Sequence, residues 1–547
     1  MEKKELLAKN YGILPDDNKD CSQNLKKLLD DVQKETNPVL IKFEKGIYNI
    51  FSENAQNEVF YVTNTLSEQD LKIPVHHFGV ILRNLNNVDI DFNGAKFLYN
   101  GVMTHIFIDK CNNVSIKNLE IDHLRPPYCS EVKCIKKSAF SAEFIVNKDS
   151  TYKFNGKEII FTGEDWEFSG IKDANIAGYI PKAKDGKIRR GLHPFRHSYK
   201  IEELEKGKLL VKYYLPTKVE EGATYALINT KRLESGIVIN ESSNISLENI
   251  KQHFNMAQAL VAQSSENITI KNCEFKPDNN SNRCIASIAD FMHFNMCRGD
   301  IDVEGCEVKG ANDDGINVHG INFPIEKKEG NNIVVKFSHR ETYGFNPFRN
   351  GDKIAFINKK TLLKEGEAIL QESKLIDCYR ISIVLDKDYK IDTLNTVIED
   401  LSANPNLYYR NNKLTEITTR GVLVTTRGNV EISNNVFDNL GMSGVLIADD
   451  ANSWYESGQV ENVKINNNDF IYCGDAGVNV NPEIKEYKES VHKNIVIEGN
   501  NIKTKDKDLA IIIRAAENIS IKNNNITGNK EWDKLIKLEN TLMINID

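Results

Sequence analysis

Residues 289–320 read ADFMHFNMCRGDIDVEGCEVKGANDDGINVHG, and the stretch states one pattern twice. Asp290-Phe-Met-His293-Phe-Asn295 returns 24 residues later as Asp314-Gly-Ile-Asn317-Val-His319, with Asp313 placed just before. Between the copies lies GDIDVEGCEVK (299–309): a turn residue, apolar–polar alternation, a Gly corner and a second apolar pair. That is strand, corner, strand. The same pattern recurs at 112–122, 243–253, 266–276, 428–438, 461–471, 493–503 and 517–527, and more loosely at 86–97. Neighbouring copies start 23 to 33 residues apart, room for three short strands per coil. No helical stretch separates them, which disfavours a βαβ fold or a leucine-rich horseshoe. A single coil cannot bury its apolar face, so stacked coils must share one core. The expected fold is all-β: a right-handed parallel β-helix.

At 547 residues the chain exceeds one ordinary compact core, which suits a repeat array. Its net charge of −8 argues against a nucleic-acid surface, and no apolar run is long enough to span a bilayer. MEKKELLAKNYG contains lysines but no apolar segment, so this sequence shows no signal peptide. The expectation is a cytoplasmic protein if the sequence is whole, and a secreted or periplasmic one if a leader has been removed. The ten cysteines form no Cys-x-x-Cys pair and read as buried thiols; Cys273 and Cys306 share one slot of the pattern and should stack internally. The Asn-x-Ser/Thr triplets are products of the repeat.

The chain divides into five parts. Residues 1–127 hold an N-terminal cap and the first coils, with a helix whose stripe is Leu25, Leu28, Leu29 and Val32 and whose cap is Asp20 or Ser22. Residues 128–232 are a β-rich, barrel-like insertion; 233–321 are coils carrying the acids; 322–418 are a second such insertion; and 419–547 are the last coils and a closing cap.

A further strand follows the repeat copies: GINVHG (315–320), GVLVTTR (421–427), GVLIADD (444–450), GVNVNPE (477–483) and AIIIRAA (510–516). Aligned on their first residue, they send Ile and Val to the core and the intervening positions outward. Asn317 and His319 then face out, with His293 and Asn295 in the same columns and a second polar patch at Asn479 and Asn481. The slot before the glycine holds Asp290, Asp314, Arg420, Ser443 and Ala476. Stacked strands lie about 4.8 Å apart, so Asp290 and Asp313 or Asp314 should stand roughly 5–9 Å apart. That range spans both the retaining and the inverting geometry of a glycosidase, and crowding should raise one pKa. An Asp at Asp313 can equally be a turn cap, since Asp475 occupies the matching place. His293, His319, Trp454 and Tyr455 also have ordinary surface or packing readings. A metal site from the histidines and aspartates is the weaker reading; no metal and no other cofactor is expected.

With those residues placed, the chain resembles the α-1,3-galactosidases of glycoside hydrolase family 110. The resemblance runs through NYGILPDD, FEKGIYNIFSENAQNEVFYVTN, residues 289–320 and RGVLVTTRGNVEISNNVFDNLGMSGVLIADDANSWYESG, and is weakest over 322–418. It implies an exo-acting, inverting, metal-independent hydrolase that removes terminal α-1,3-linked galactose from linear or blood-group-B-type ends. Asp290 would be the general acid, and Asp313 and Asp314 would hold or share the general-base role. His293, Asn317, His319, Arg420, Trp454, Glu456, Asn481 and Glu483 are the candidate substrate contacts. The expected partner is a glycan; a homodimer is left open. The competing readings are a polygalacturonase- or lyase-like enzyme on uronic-acid polymers, and a non-catalytic carbohydrate-binding β-helix.

Overall fold

The structure, a computed structural model, describes all residues except 1–2, 66–72, 157, 173–175, 181–187, 190–192, 230, 506–507 and 532–533. Its strands stack in register as parallel rungs, and from Glu266 onward each full coil contributes three of them. Asn429–Ser433, Val436–Asp438 and Val445–Ile447 in one coil lie on Asn462–Asn466, Asp469–Ile471 and Ala476–Val480 in the next. The partners Val430↔Val463, Phe437↔Phe470 and Val445↔Val478 all differ by 33 residues, the spacing of the sequence copies. Phe437 and Phe470 stack face to face at 4.8 Å, one rung apart. The parallel β-helix expected from the repeat is therefore the fold. Its inward Ile and Val positions, including Ile316, Val318, Val422, Val424, Val445 and Ile447, form one continuous core.

Asparagine serves the corners. Asn267 and Asn244 adopt left-handed φ of 55° and 56°, where Gly299 takes the equivalent place at 64°. A second column is buried: Asn435 Nδ2 donates to Asn468 Oδ1 at 2.9 Å, and Asn468 Nδ2 to Asn500 Oδ1 at 3.0 Å. These amide ladders satisfy turn groups that the core would otherwise strand.

The helix Ser22–Val32 covers the first coil, burying Leu25, Leu28 and Val32 against it; Asp20 Oδ1 accepts the Ser22 N–H at 3.1 Å. Cys273 and Cys306 are buried in the core, and none of the ten cysteines is in a disulfide. In the segment expected to close the array, EWDKLIKLENTLMINID (531–547), Ile536–Glu539 and Leu542–Ile546 pair as a last set of rungs.

The insertions leave the ladder unbroken, because Thr104–Asp109 pairs directly with Ile237–Asn240, and Ile316–Ile321 with Val422–Thr425. The second contains a closed six-stranded antiparallel barrel, Phe323–Glu329 to Thr396–Asp400, with its own aromatic core. The first is not barrel-like among the described residues. It is an open six-stranded antiparallel sheet whose edges, Ile176–Ile180 and Ser198–Glu205, do not pair. A three-stranded sheet lies over it, and Phe161 and Phe168 fill the core beside Phe144 and Leu209. Closure is unnecessary where a second sheet already covers the apolar face.

Candidate active site

Met292–Asn295, Ile316–Ile321 and Val422–Thr425 are consecutive rungs, in register Met292↔Ile316↔Val422. Two residues before each strand stand Asp290, Asp314 and Arg420, so one slot reads acid, acid, base down the ladder. The 24-residue echo in the sequence is this register, which pairs His293 with Asn317 and Asn295 with His319.

The three acids converge, with one oxygen of each within 4.8 Å of the others. Asp290 and Asp314 are both 2% exposed, and Asp313 is more open, its side chain 17% exposed. Asp314 is saturated with donors. Arg420 Nε and Nη2 reach its two oxygens at 2.8 and 2.7 Å, and the Arg420 backbone N–H and the Thr419 hydroxyl add to Oδ1. Burial pushes the Asp314 carboxyl up, and the bidentate guanidinium opposes that rise. Asp313 accepts Arg232 Nη2 at 2.7 Å. Among the described residues no lysine or arginine is bonded to Asp290. Its Oδ1 accepts the Asp314 N–H at 3.2 Å, and its Oδ2 lies 2.9 Å from His293 Nδ1. Burial, then the Asp313 charge, raise its pKa to about 7 against the pull of Arg232.

The two histidines form a chain running away from Asp290. His293 Nε2 lies 3.0 Å from His319 Nε2, and His319 Nδ1 lies 2.7 Å from the Gly320 carbonyl. All four ring nitrogens are thus engaged inside the protein rather than held out for a sugar. Asn317 Nδ2 donates to Glu456 Oε1 at 3.1 Å, and Glu456 sits on a short strand, Glu456–Ser457, paired antiparallel with Ile316–Ile321. Trp454, 55% exposed, stacks on His339 at 4.7 Å. Asn481 and Glu483 do not join this cluster. They follow Ala476–Val480, three rungs from Ile316–Ile321 and so about 14 Å along the ladder.

Residues outside the repeat complete the site. Arg232 ends the first insertion and bridges Asp313 to Asn64 Oδ1 at 2.7 Å. Asn64, at a left-handed φ of 58°, points Nδ2 toward Asp290 Oδ2 and His293 Nδ1, both at 3.4 Å. Its N–H donates to the Glu341 carbonyl at 2.7 Å, and the Glu341 side chain lies 3.8 Å from Arg232. Four segments therefore wall the acids: the loop at Asn64, the stem at Arg232, the barrel loop at Glu341 and the strand at Glu456. Three carboxylates at this spacing can in principle collect a cation. Here two are already neutralised by guanidinium groups, and the third has the pKa of a protonated acid, which suits proton transfer rather than cation capture.

Residues 332–390, within the barrel insertion, match the family model described as GLAA-B beta-barrel domain II. The chain is 28% identical over 539 residues to alpha-1,3-galactosidase B of Akkermansia muciniphila, covering 96% of this chain and 66% of that one. Among solved structures it is similar to the Yersinia enterocolitica family 28 exopolygalacturonase, at 8% identity and a TM-score of 0.40, covering 100% of this chain and 79% of that one. It is 32% identical over 531 residues to alpha-1,3-galactosidase A of Bacteroides thetaiotaomicron, covering 95% of this chain and 92% of that one. On that likeness over nearly the whole of both proteins, the chain belongs to the α-1,3-galactosidase family, glycoside hydrolase family 110.

Proposed function

We propose that this glycosidase removes terminal α-1,3-linked galactose from glycan ends, acting from the chain end and with inversion. The observation that carries the reading is the division of labour among the acids. One buried carboxyl, Asp290, keeps a proton near neutrality beside Asp313 and Asp314, each of which is paired with a guanidinium group. Asp290 gives its proton to the glycosidic oxygen as the C1–O bond breaks. Asp313 takes a proton from the water that attacks C1 from the opposite face. β-Galactose leaves with the enzyme holding a proton on Asp313 and a charge on Asp290, and solvent exchange restores both.

Asp313 suits the base role better than Asp314, whose oxygens are filled by Arg420 and Thr419. Asn317, Glu456 and Glu341 offer partners for sugar hydroxyls, and the exposed face of Trp454 offers a stacking surface. Walls on four sides favour a pocket for one terminal sugar over a groove for a polymer. Arg232 and Arg420 are both committed to carboxylates, which leaves the site poor in cations for a uronic-acid chain.

Inversion rests on family membership. The nearest oxygens, within 4.8 Å, are closer than the roughly 6.5–9.5 Å between carboxyl groups that accommodates a water. The test is proton NMR of the first sugar released from Galα1-3Gal: β-galactose is expected, α-galactose would replace inversion by retention, and no release would end the galactosidase reading. Comparing the linear disaccharide with its fucosylated branched form then decides the preferred end.

A further inference from the structure

We propose that His319 and His293 form a relay of fixed tautomers that keeps a proton on Oδ2 of Asp290, and so selects this carboxyl rather than Asp313 or Asp314 as the acid. The proposal rests on the glycosidase reading above and adds two positioning residues to it.

The chain of reasoning starts at a backbone carbonyl, which can only accept. The Gly320 oxygen lies 2.7 Å from His319 Nδ1, so that nitrogen carries hydrogen. Burial keeps His319 neutral, which leaves its Nε2 a lone pair. His293 Nε2 lies 3.0 Å from it, and two lone pairs do not meet at that distance, so His293 carries its hydrogen on Nε2. Burial also pushes His293 down to about 4, so the ring is neutral and its Nδ1 is a lone pair. Asp290 Oδ2 stands 2.9 Å from that lone pair. A carboxylate oxygen there would set acceptor against acceptor, whereas a carboxylic O–H completes the contact. Oδ1 already accepts the Asp314 N–H, so the proton belongs to Oδ2.

The neighbouring acids face the opposite kind of partner. Asp313 meets a guanidinium N–H, and Asp314 meets a guanidinium, a backbone N–H and a hydroxyl. Each is paired with a guanidinium; Asp290 accepts the Asp314 N–H at Oδ1 and has the Asn64 amide 3.4 Å from Oδ2, but its shortest contact, at 2.9 Å, is the His293 nitrogen. The charged and titratable groups around the relay are Asp313, Asp314, Arg232 and Arg420 near Asp290, Glu456 beside both histidines, His339 beyond His319, and Glu341 beside Arg232. None of these gives His319 a second acceptor for Nδ1–H, so Gly320 sets the direction of the whole chain.

Two measurements test it. In the wild-type protein labelled with 15N-histidine, nitrogen shifts at neutral pH should show His319 protonated on Nδ1 and His293 neutral and protonated on Nε2, with signals assigned through His293→Gln and His319→Phe. His293 protonated on Nδ1, whether neutral or cationic, or His319 protonated on Nε2, would overturn the proposal. In His319→Phe the acceptor is gone, so His293 can move its hydrogen to Nδ1 and donate to an ionised Asp290. The alkaline limb of kcat/KM should then fall by about one pH unit. A slower enzyme with an unmoved limb would mean that His319 only supports the fold. The spectra need no turnover to report tautomers, so failure to cleave Galα1-3Gal would remove the substrate assignment and leave the relay to be judged separately.

Discussion

Asp290→Asn should stabilise the protein while disabling it. The side chain is 2% exposed with a folded-state pKa of about 7, against about 3.9 in an unfolded chain. The folded protein therefore holds a proton that the unfolded chain has released, and wild-type stability falls as pH rises between those two values. Three units at 1.36 kcal/mol each amount to about 4 kcal/mol, undiminished by solvent screening because the group is buried. The amide is free of this slope. Its NH2 can donate to His293 Nδ1 as the carboxylic O–H does, and its oxygen can accept the Asp314 N–H, so no buried group is stranded. Variant and wild type should be equally stable near pH 4 and diverge until the amide is about 4 kcal/mol ahead at neutral pH. Urea unfolding across that range measures the difference, and hydrogen exchange at Met292–Asn295 and Ile316–Ile321 reads the coils apart from the insertions. Turnover of a Galα1-3Gal substrate should fall by roughly 10²–10⁴, the worth of a general acid. A nitrophenyl galactoside, whose leaving group needs little protonation, should lose far less. Parallel stability curves, or an amide variant less stable at neutral pH, would show that Asp290 is ionised in the fold and would refute the reasoning.

Four further outcomes follow from the same geometry. Since Asp290 must be protonated to act and its pKa is about 7, kcat/KM should fall tenfold per pH unit above that point; a rate that stays flat two units higher would exclude Asp290 as the acid. Asp313→Asn should be as inactive on the nitrophenyl galactoside as on the disaccharide, because an activated leaving group does not replace a base; rescue by that substrate would move the base elsewhere. Arg420→Met leaves Asp314 buried without its guanidinium and should cost about 3–5 kcal/mol. Its Asp314 pKa then rises further, so the loss in urea should be larger at pH 8 than at pH 5, and a pH-independent loss would contradict the assignment. Nine of the ten thiols are buried and Cys378 is half-buried, so a thiol reagent should titrate no more than one cysteine in the native protein.

Much of this site was legible because the β-helix turns sequence period into spatial register. The echo of Asp290 and His293 in Asp314 and Asn317 is a statement about neighbouring rungs, and the slot holding Asp290, Asp314 and Arg420 could be read as a column before any strand was placed. Alternation also separated Ile316 and Val318, which entered the core, from Asn317 and His319, which did not. The same logic overreached at Asn481 and Glu483. Those positions obey the column rule, but a column runs the length of the ladder, and three rungs put them out of reach of the acids. It also misjudged the histidines, because period tells which way a ring faces and not what its nitrogens meet.

Asn64, Arg232 and Glu341 carried no such signal. Each belongs to a segment outside the repeat, and each acquires its role only when the ladder closes beneath the insertions: Thr104–Asp109 onto Ile237–Asn240, and Ile316–Ile321 onto Val422–Thr425. Arg232 lies 81 residues from Asp313, and Asn64 lies 168 residues from Arg232, distances over which no local pattern holds. This division has a chemical consequence. The acid pair is set by the rungs, where a displaced residue would disturb a register shared with every coil, whereas Asn64, Arg232 and Glu341 come from stems and loops that the ladder tolerates at many lengths. On the reading proposed above, reaction type belongs to the repeat, and Glu341 of the barrel insertion bears on substrate choice. Changes at Glu341 should alter which galactoside end is accepted before they alter how the bond is broken.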